Sequence, residues 1–166
     1  VIFIKEISKK RVIIGAEGNG GVWIGDFNTF DYYPIPVIYP GENFKLSSKT
    51  VAVFPNEAAV FALDAHTFVR TEGKSVKKSL NVTGEIVQIA KIDDESCIIQ
   101  GKNHVYIYNL RTDEILELEV FPRKLDFTGV AVLGDHFAMI TSEEIYVFTF
   151  YGGRLNICST YTSKFK

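Results

Sequence analysis

The sequence predicts an all-β protein assembled from repeated antiparallel sheets. Short alternating apolar runs recur four times along the chain, each with an aromatic residue at its third position. The four aromatics are Trp23, Phe61, Tyr106 and Tyr146, which follow one another at intervals of 38, 45 and 40 residues. Short strands repeated at a period near forty residues are typical of the blades of a β-propeller.

The bulk composition agrees with a single β-rich domain. The chain has 166 residues, of which 46% are apolar and 13% aromatic, and aromatic residues suit the pleated, half-buried surface of a sheet. The formal net charge of −2 gives no sign of a nucleic-acid or membrane-surface partner. The apolar runs are only as long as strands, so we predict no membrane span, and no signal peptide is recognisable.

Turn residues divide the chain into four units of four strands each, which we predict to be blades. The units are residues 1–40, 41–80, 81–122 and 123–166. The strands are predicted at 1–7, 11–16, 22–26 and 31–37, then at 43–47, 50–54, 58–64 and 67–72, then at 85–92, 96–100, 104–110 and 115–120, and finally at 127–133, 136–141, 144–150 and 155–160. Pro34 and Pro36 lie in the last strand of the first unit, and proline cannot donate to a ladder, so this strand is predicted at an outer edge.

The third unit indicates how its sheet is buried. In its third strand, Val105 and Ile107 point to one face, while Tyr106, Tyr108 and Leu110 point to the other. Both faces are apolar, whereas an isolated antiparallel sheet shows one polar face. The sheet is therefore predicted to pack between two neighbours, as blades do in a propeller.

Residues 104–116 resemble the end of a WD40 repeat. In that family the third strand ends in an aromatic–acid pair, and a short turn leads into an apolar outer strand. The matching pairs in the four units are Gly25 with Asp26, Leu63 with Asp64, Tyr108 with Asn109, and Phe148 with Thr149. The chain has no Trp-Asp pair and no Gly-His pair before a first strand, so the resemblance is to a divergent WD40-like propeller. It covers essentially the whole chain and implies an interaction scaffold.

The resemblance also leaves two interpretations of ring closure. Blades of this length are similar to those of seven- or eight-bladed rings, of which four blades make little more than half. In an incomplete ring the two terminal sheets present apolar faces that need a protein partner, either further blades or another subunit. We expect such a partner to pack against residues 1–7 and 127–133. The alternative is a closed four-bladed ring.

Basic residues form a candidate partner-binding patch. Lys74, Lys77 and Lys78 are predicted in the connection between the second and third units, and Arg123 and Lys124 in the next connection. In a propeller these connections emerge on the same rim, where they suit an acidic partner or a phosphate backbone. The alternative interpretation is ordinary solvated loops, and no aromatic residues for base stacking interleave these charges.

The side chains that could carry chemistry do not form a recognisable catalytic or metal pattern. His66, His104 and His136 lack metal-ligand spacing. The acidic run at 93–95 and the glycine-rich stretch at 15–21 are predicted as turns, because the latter is followed by a strand rather than a helix. Asp26 and Asp64 are predicted to accept bonds from backbone N–H groups at turns. We therefore predict no catalytic residue, no cofactor and no metal.

Two functions remain open at this point. The leading one is a non-catalytic scaffold for protein–protein interaction within a larger complex. The alternative is a propeller-type enzyme or small-ligand (sugar) binding protein with its site at the central channel. Its residues would come from the first strands and their preceding loops, such as Glu42, Asn43, Lys124 and Asp126.

The two cysteines indicate a reducing compartment. Cys97 and Cys158 lie in apolar runs of different units, 61 residues apart, and free cysteine is often a small core residue. We predict two buried, reduced thiols that are not bonded to each other. The protein is accordingly expected inside the cell, in the cytoplasm or nucleus.

Overall fold

The computed structural model describes residues 3–16, 21–38, 46–118, 127–134, 136–151 and 154–162, and these form sixteen β-strands. The strands are β1 (Phe3–Ser8), β2 (Arg11–Ala16), β3 (Gly21–Asp26), β4 (Asp31–Pro34), β5 (Val51–Phe54), β6 (Ala58–Ala62), β7 (Thr67–Glu72), β8 (Ser75–Asn81), β9 (Ile86–Lys91), β10 (Ser96–Gly101), β11 (Val105–Asn109), β12 (Ile115–Glu117), β13 (Gly129–Leu133), β14 (His136–Ile140), β15 (Glu144–Tyr151) and β16 (Arg154–Thr162). Within the described ranges no helix is long and apolar enough to cross a membrane.

The strands form four antiparallel sheets, each a meander of four consecutive strands. Sheet 1 is β1–β4, sheet 2 is β5–β8, sheet 3 is β9–β12 and sheet 4 is β13–β16. Each of the sixteen described strands pairs only with its neighbours in sequence, so each sheet is one independent hairpin series. The predicted all-β fold with four four-stranded sheets is confirmed.

The first strands of successive sheets lie side by side. Strand β1 contacts β5, β5 lies against β9, and β9 lies against β13. The Ile89 N–H donates to the Lys49 carbonyl at 2.9 Å, and the Lys5 ammonium donates to the Val51 carbonyl at 2.7 Å. The Gln88 amide donates to the Val130 carbonyl at 3.0 Å and accepts from the Val130 N–H at 3.2 Å. These bonds join the inner edges of the four sheets and make them blades.

Three apolar clusters fill the spaces between successive sheets. Sheets 1 and 2 bury between them Phe3, Ile13, Ile24, Phe61 and Val69. Sheets 2 and 3 bury Val60, Phe68, Cys97, Ile99, Tyr106 and Tyr108. Sheets 3 and 4 bury Ile98, Ile107, Phe137, Met139 and Phe148. Sheets 2 and 3 are thus buried on both faces, as predicted for the third unit.

Sheet 2 begins later than its sequence pattern suggested. We expected a first strand at 43–47, but Leu46 and Ser47 are not in a strand, and 43–45 lie outside the described residues. Strand β7 is the third strand of the sheet rather than the fourth, because a tight turn at Gly73 (φ +52°) leads directly into β8. Because the polar strand β8 resembles a connection in sequence, the strands at 50–54, 58–64 and 67–72 were each predicted one place too late in the sheet.

The four repeated aromatics do not occupy equivalent positions. Tyr106 and Tyr146 lie on the third strands of their sheets and are buried, but Phe61, also buried, lies on the second strand of sheet 2. Trp23 lies on a third strand but is only half-buried. The prediction of four equivalent buried aromatics is therefore wrong for Phe61 in position and for Trp23 in burial.

Two arginines bridge adjacent sheets. In sheet 1, Arg11 donates to Glu57 of sheet 2 at 2.6 Å and to Asp26 of its own sheet at 2.9 Å. In sheet 2, Arg70 lies 3.2 Å from the Asp113 carboxylate of sheet 3, which also accepts from Tyr108 at 2.5 Å. Glu57 and Asp113 both have φ near +60°, a turn conformation that aims their carboxylates at the neighbouring sheet.

Replacing Phe61 with alanine tests the packing between sheets 1 and 2. The ring is fully buried, so we expect Phe61→Ala to lower the free energy of unfolding by about 3–5 kcal/mol. The matched control is Phe30→Ala, since Phe30 lies in the β3–β4 turn and is largely exposed; it should cost less than about 1 kcal/mol. Urea unfolding measures both, and equal losses would contradict the packing.

Acid unfolding tests the Asp26–Arg11 contact. The Asn28 N–H and the Arg11 guanidinium hold the pKa of the Asp26 carboxyl below its usual value. A depressed folded-state pKa stabilises the fold above the unfolded-state pKa of about 4, and this contribution disappears as the pH falls through the lower folded value. We expect the free energy of unfolding of Asp26→Asn to fall less steeply with decreasing pH than that of the wild type. Urea unfolding from neutral pH downward measures this. The same pH dependence in the variant and the wild type would contradict a stabilising Asp26–Arg11 contact.

Candidate protein-interaction surfaces

Sheet 1 presents an apolar face on the side away from sheet 2, here called the first outer face. The strand registers place five of its side chains on this side, namely those of Ile4, Val12, Ile14, Trp23 and Tyr32. Ile4 is 60% exposed and Tyr32 is 62% exposed, while Trp23 and Ile14 are partly exposed. The residues that face sheet 2, by contrast, are almost completely buried.

A glycine allows this face to close into a continuous patch. A Cβ atom on Gly25 would lie 3.2 Å from the Val12 side chain, 3.3 Å from the Tyr32 ring and 3.4 Å from the Ile14 side chain. The three side chains therefore converge over the Gly25 backbone, and a larger residue there would push them apart. Gly25, which the sequence resemblance placed at the aromatic position of a WD40-like repeat, thus allows close packing on an outer surface.

Sheet 4 presents a similar apolar surface on the side away from sheet 3, here called the second outer face. The registers place on this side Ala131, Leu133, Ile140, Ile145, Val147 and Tyr161. Leu133 is 83% exposed and Tyr161 is 59% exposed. The opposite face of the sheet, with Met139 and Phe148, is buried against sheet 3.

The two outer faces decide between an open and a closed arrangement. In a closed four-bladed ring, sheet 4 would pack against sheet 1 and both outer faces would be buried. Among the described residues, the three apolar clusters join sheet 1 to 2, 2 to 3 and 3 to 4, and Ile4, Tyr32 and Leu133 are exposed. The described sheets therefore form an open arc, with an apolar surface at each end of the kind that marks interfaces.

The sequence predicts an apolar surface on each terminal sheet but identifies few of the residues that form it. It named only the first strands of the two terminal units, whereas Trp23, Tyr32, Ile145 and Val147 come from other strands. Their alternation is the same as that of internal blades, so the pattern alone does not reveal which faces lack a neighbour.

A cavity of about 550 Å³ lies where the first strands of the sheets meet. It is lined by Lys5, Glu6, Lys49, Gln88 and Lys91, among others, and burial lowers the pKa of the Lys5 ammonium. Lys5 is already bonded to a backbone carbonyl, and Lys91 pairs with Asp94 at 2.6 Å. Among the described lining residues of the cavity, Glu6 supplies the one carboxylate, so the lining lacks the paired acids that hydrolysis uses.

The four residues predicted for a site at the central channel all lie outside the described residues. They are Glu42, Asn43, Lys124 and Asp126. In the part of the chain that the structure describes, no three His, Cys, Asp or Glu side chains gather as a metal site.

Three of the five residues predicted for the basic patch lie among the described residues. Lys74 lies in the β7–β8 turn, and Lys77 and Lys78 lie in β8 itself, the outermost strand of sheet 2, so they are not in a connection between blades. The Lys74 ammonium lies 2.9 Å from the centre of the Tyr33 ring, and that of Lys77 is 3.7 Å from Glu72. Arg123 and Lys124 lie outside the described residues, so a patch shared by the two groups stays a prediction.

The polar residues at strand ends organise turns. Asp26 accepts from the Asn28 N–H at 2.9 Å, as predicted. Asp64 accepts from the N–H groups of His66 and Thr67, at 2.8 and 2.7 Å, also as predicted. Asn109 takes the same role in sheet 3, accepting from the next turn at 2.9 and 3.0 Å. Their oxygens therefore serve the backbone.

The two cysteines differ in their surroundings. Both are free, but Cys97 is fully buried, and burial raises the pKa of its thiol, which leaves it a poor nucleophile. Cys158 in β16 is exposed, so the prediction of two buried thiols is wrong for Cys158. Its run alternates as a buried strand would, but β16 is the outermost strand of its sheet.

Comparisons with known proteins agree on the fold. No protein-family model and no curated protein matches the sequence. Among solved structures, the N-terminal domain of Nup159 has a TM-score of 0.62 at 10% identity, over 95% of this chain and 43% of that one. U3-55K has a TM-score of 0.70 at 12% identity, over 95% of this chain and 52% of that one.

Nup159 also appears in a complex from S. cerevisiae. In that structure of dbp5 bound to nup159, gle1, ip6 and adp, the match has a TM-score of 0.60 at 12% identity, over 95% of this chain and 42% of that one. The chain therefore spans about half the length of the structures that it matches. These structures are β-propellers, and the likeness shows that the four sheets of this chain are propeller blades.

Proposed function

We propose that this chain is a non-catalytic, WD40-like propeller scaffold whose two outer faces are covered by protein, most simply by further blades of the same ring. One observation carries the proposal: sheets 1 and 4 each expose a face with the apolar character of the faces that sheets 2 and 3 pack against their neighbours. A sheet with two apolar faces is stable in water only when both are covered.

The energetics favour a permanent partner over a transient one. Burying an exposed isoleucine or leucine side chain contributes about 1.5–3 kcal/mol. The first outer face offers Ile4 together with Tyr32, and the second offers Leu133 and Ile140 together with Tyr161. A surface of this kind, covered by a complementary sheet, forms an interface like a domain core divided in two, which is typical of obligate assemblies.

The solved structures support completion by further blades. Each is about twice as long as the part that this chain matches, and each is a propeller. One of them is recorded with bound protein partners, which is consistent with a scaffold role for this chain. The exposed free thiol of Cys158 suits a reducing compartment, so the proposal places the protein in the cytoplasm or nucleus.

Thiol labelling tests whether the outer faces are covered. In a Cys158→Ser background, Ile4→Cys and Leu133→Cys place one thiol on each outer face, and Lys10→Cys in the exposed β1–β2 turn is the matched control. In the native assembly we expect both face thiols to react with maleimide at least about tenfold more slowly than the control. In the isolated 166-residue chain the three should react at similar rates.

The opposite result is equally definite. If both face thiols react as fast as the Lys10→Cys thiol in the native assembly, the faces are uncovered and the scaffold proposal fails. If they are protected in the isolated chain while it sediments as a monomer, the two terminal sheets cover each other, and a closed four-bladed ring replaces the open arc.

A role for the lysines in partner binding stays a prediction, and it too can be measured. Charge reversal by Lys74→Glu, Lys77→Glu and Lys78→Glu should slow association with the partner that co-purifies and weaken its salt dependence, because rim charges act on the association rate. Reversal of Arg123 and Lys124 should add to this effect. The matched control is Lys102→Glu, in the exposed β10–β11 turn. Association rates equal to the control would assign the lysines to ordinary solvated surface.

A further inference from the structure

A cavity of about 370 Å³ lies between sheets 3 and 4, here called the inter-sheet cavity. Sheet 3 supplies most of its described lining, including Ser96 and Asn109, and Phe150 of sheet 4 lines the other side. Leu116 and Glu114 also line it, and both are exposed, so the cavity opens to solvent. It is therefore accessible to a side chain of another protein.

The strand registers show which part of sheet 1 corresponds to this cavity. Arg11 lies opposite Asp26 in the β2–β3 ladder, and Ser96 lies opposite Asn109 in the β10–β11 ladder. Two residues farther along each strand, a fully buried isoleucine packs against the next sheet, namely Ile13 in sheet 1 and Ile98 in sheet 3. Side chains two residues apart share a face, so Arg11 and Ser96 hold equivalent positions and both point at the next sheet.

An arginine bridges each of the other two junctions between sheets. Arg11 reaches Glu57 of sheet 2, and Arg70 reaches Asp113 of sheet 3. Between sheets 3 and 4, no arginine makes such a bridge within the described ranges, and serine stands at the position of Arg11. The serine side chain is too short to cross, so the space that an arginine fills in the first junction is left open here.

Two groups of the cavity lining can accept hydrogen bonds from a guanidinium. The Glu114 carboxylate accepts from the Thr112 hydroxyl at 3.1 Å, and no basic side chain of the described residues pairs with it. The Ser96 hydroxyl, in a residue only 3% exposed, has no hydrogen-bond partner in the described part of the chain. A guanidinium carries five N–H donors and pairs strongly with a carboxylate.

The remaining lining suits the methylene stem of an arginine. Ile107, Leu116 and Phe150 form apolar walls, against which long basic side chains pack while their charged end meets polar groups. Asn109 stands where sheet 1 has Asp26, but its oxygen accepts from the backbone N–H groups of the next turn. Glu114 therefore supplies the one carboxylate among the described lining residues.

We propose that the inter-sheet cavity binds an arginine side chain of a partner protein, which bridges sheets 3 and 4 as Arg11 bridges sheets 1 and 2. Its guanidinium bonds to Glu114 and Ser96, and its stem packs on Leu116 and Phe150. Lysine suits the site less well, because an ammonium lacks the planar fork of donors that matches a carboxylate. The inference rests on the proposed scaffold function, since a protein partner supplies the arginine, but it uses a site other than the two outer faces.

Titration with a small arginine probe tests the site. N-acetylarginine methylamide is added to the methyl-labelled 166-residue chain, and the lysine and citrulline counterparts serve as controls, since citrulline has the shape of arginine without its charge. We expect the arginine probe to shift the methyl signals of Ile107 and Leu116 with a Kd of about 1 mM. The citrulline probe should bind at least about tenfold more weakly and the lysine probe at least about threefold more weakly.

Variants of the lining test the two proposed contacts. Glu114→Gln removes the carboxylate and should weaken binding of the arginine probe at least about fivefold. The matched control is Glu143→Gln, in the exposed β14–β15 turn at the opposite end of β15 from Phe150, which should leave binding unchanged. Ser96→Arg supplies the arginine from the chain itself and should abolish binding of the probe. If Ser96→Arg does not fold, the exposed Glu114 position still decides the test.

The proposal fails if the arginine probe binds no more tightly than the citrulline probe, or if Glu114→Gln leaves its binding unchanged. Either result leaves the scaffold proposal standing, because maleimide protection of Ile4→Cys and Leu133→Cys does not depend on this cavity. Conversely, unprotected face thiols together with arginine binding that requires Glu114 would refute the covered outer faces and support the arginine site.

Discussion

The requirement that every sheet be covered on both faces underlies the rest of this structure. Each sheet is only four strands deep and cannot bury its own side chains, so its stability comes from the neighbours on either side. Phe61, Phe68 and Phe148 lie in three different clusters, one in each space between successive sheets. The same requirement makes the two ends of the arc the proposed interfaces.

Polar contacts set the order and spacing of the blades within this apolar stack. The Gln88 side chain reproduces a pair of ladder bonds between two first strands that belong to different sheets. Farther out, Arg11 and Arg70 each reach a carboxylate held by a turn of the next sheet. Such directional bonds contribute less free energy than apolar burial but fix the position of one sheet against the next.

Several described polar side chains hold turns of the fold, which agrees with the proposed scaffold role. Asp26, Asp64 and Asn109 direct their oxygens at backbone N–H groups of turns, and the Tyr108 hydroxyl is bonded to Asp113. Apolar surface at the two ends of the arc is available for recognition.

The sequence by itself determined the all-β class, the four-sheet repeat and the turn roles of Asp26 and Asp64, because strand period and turn chemistry are local properties. It misplaced the strands of sheet 2, since the lysine-rich β8 resembles a loop until it pairs with β7. Tertiary structure alone decided that Trp23 is half-buried and Cys158 exposed, although both lie in runs that alternate like buried strands. Burial depends on whether another sheet stands opposite and on whether the strand is the outermost of its sheet, and neither is a property of any single run.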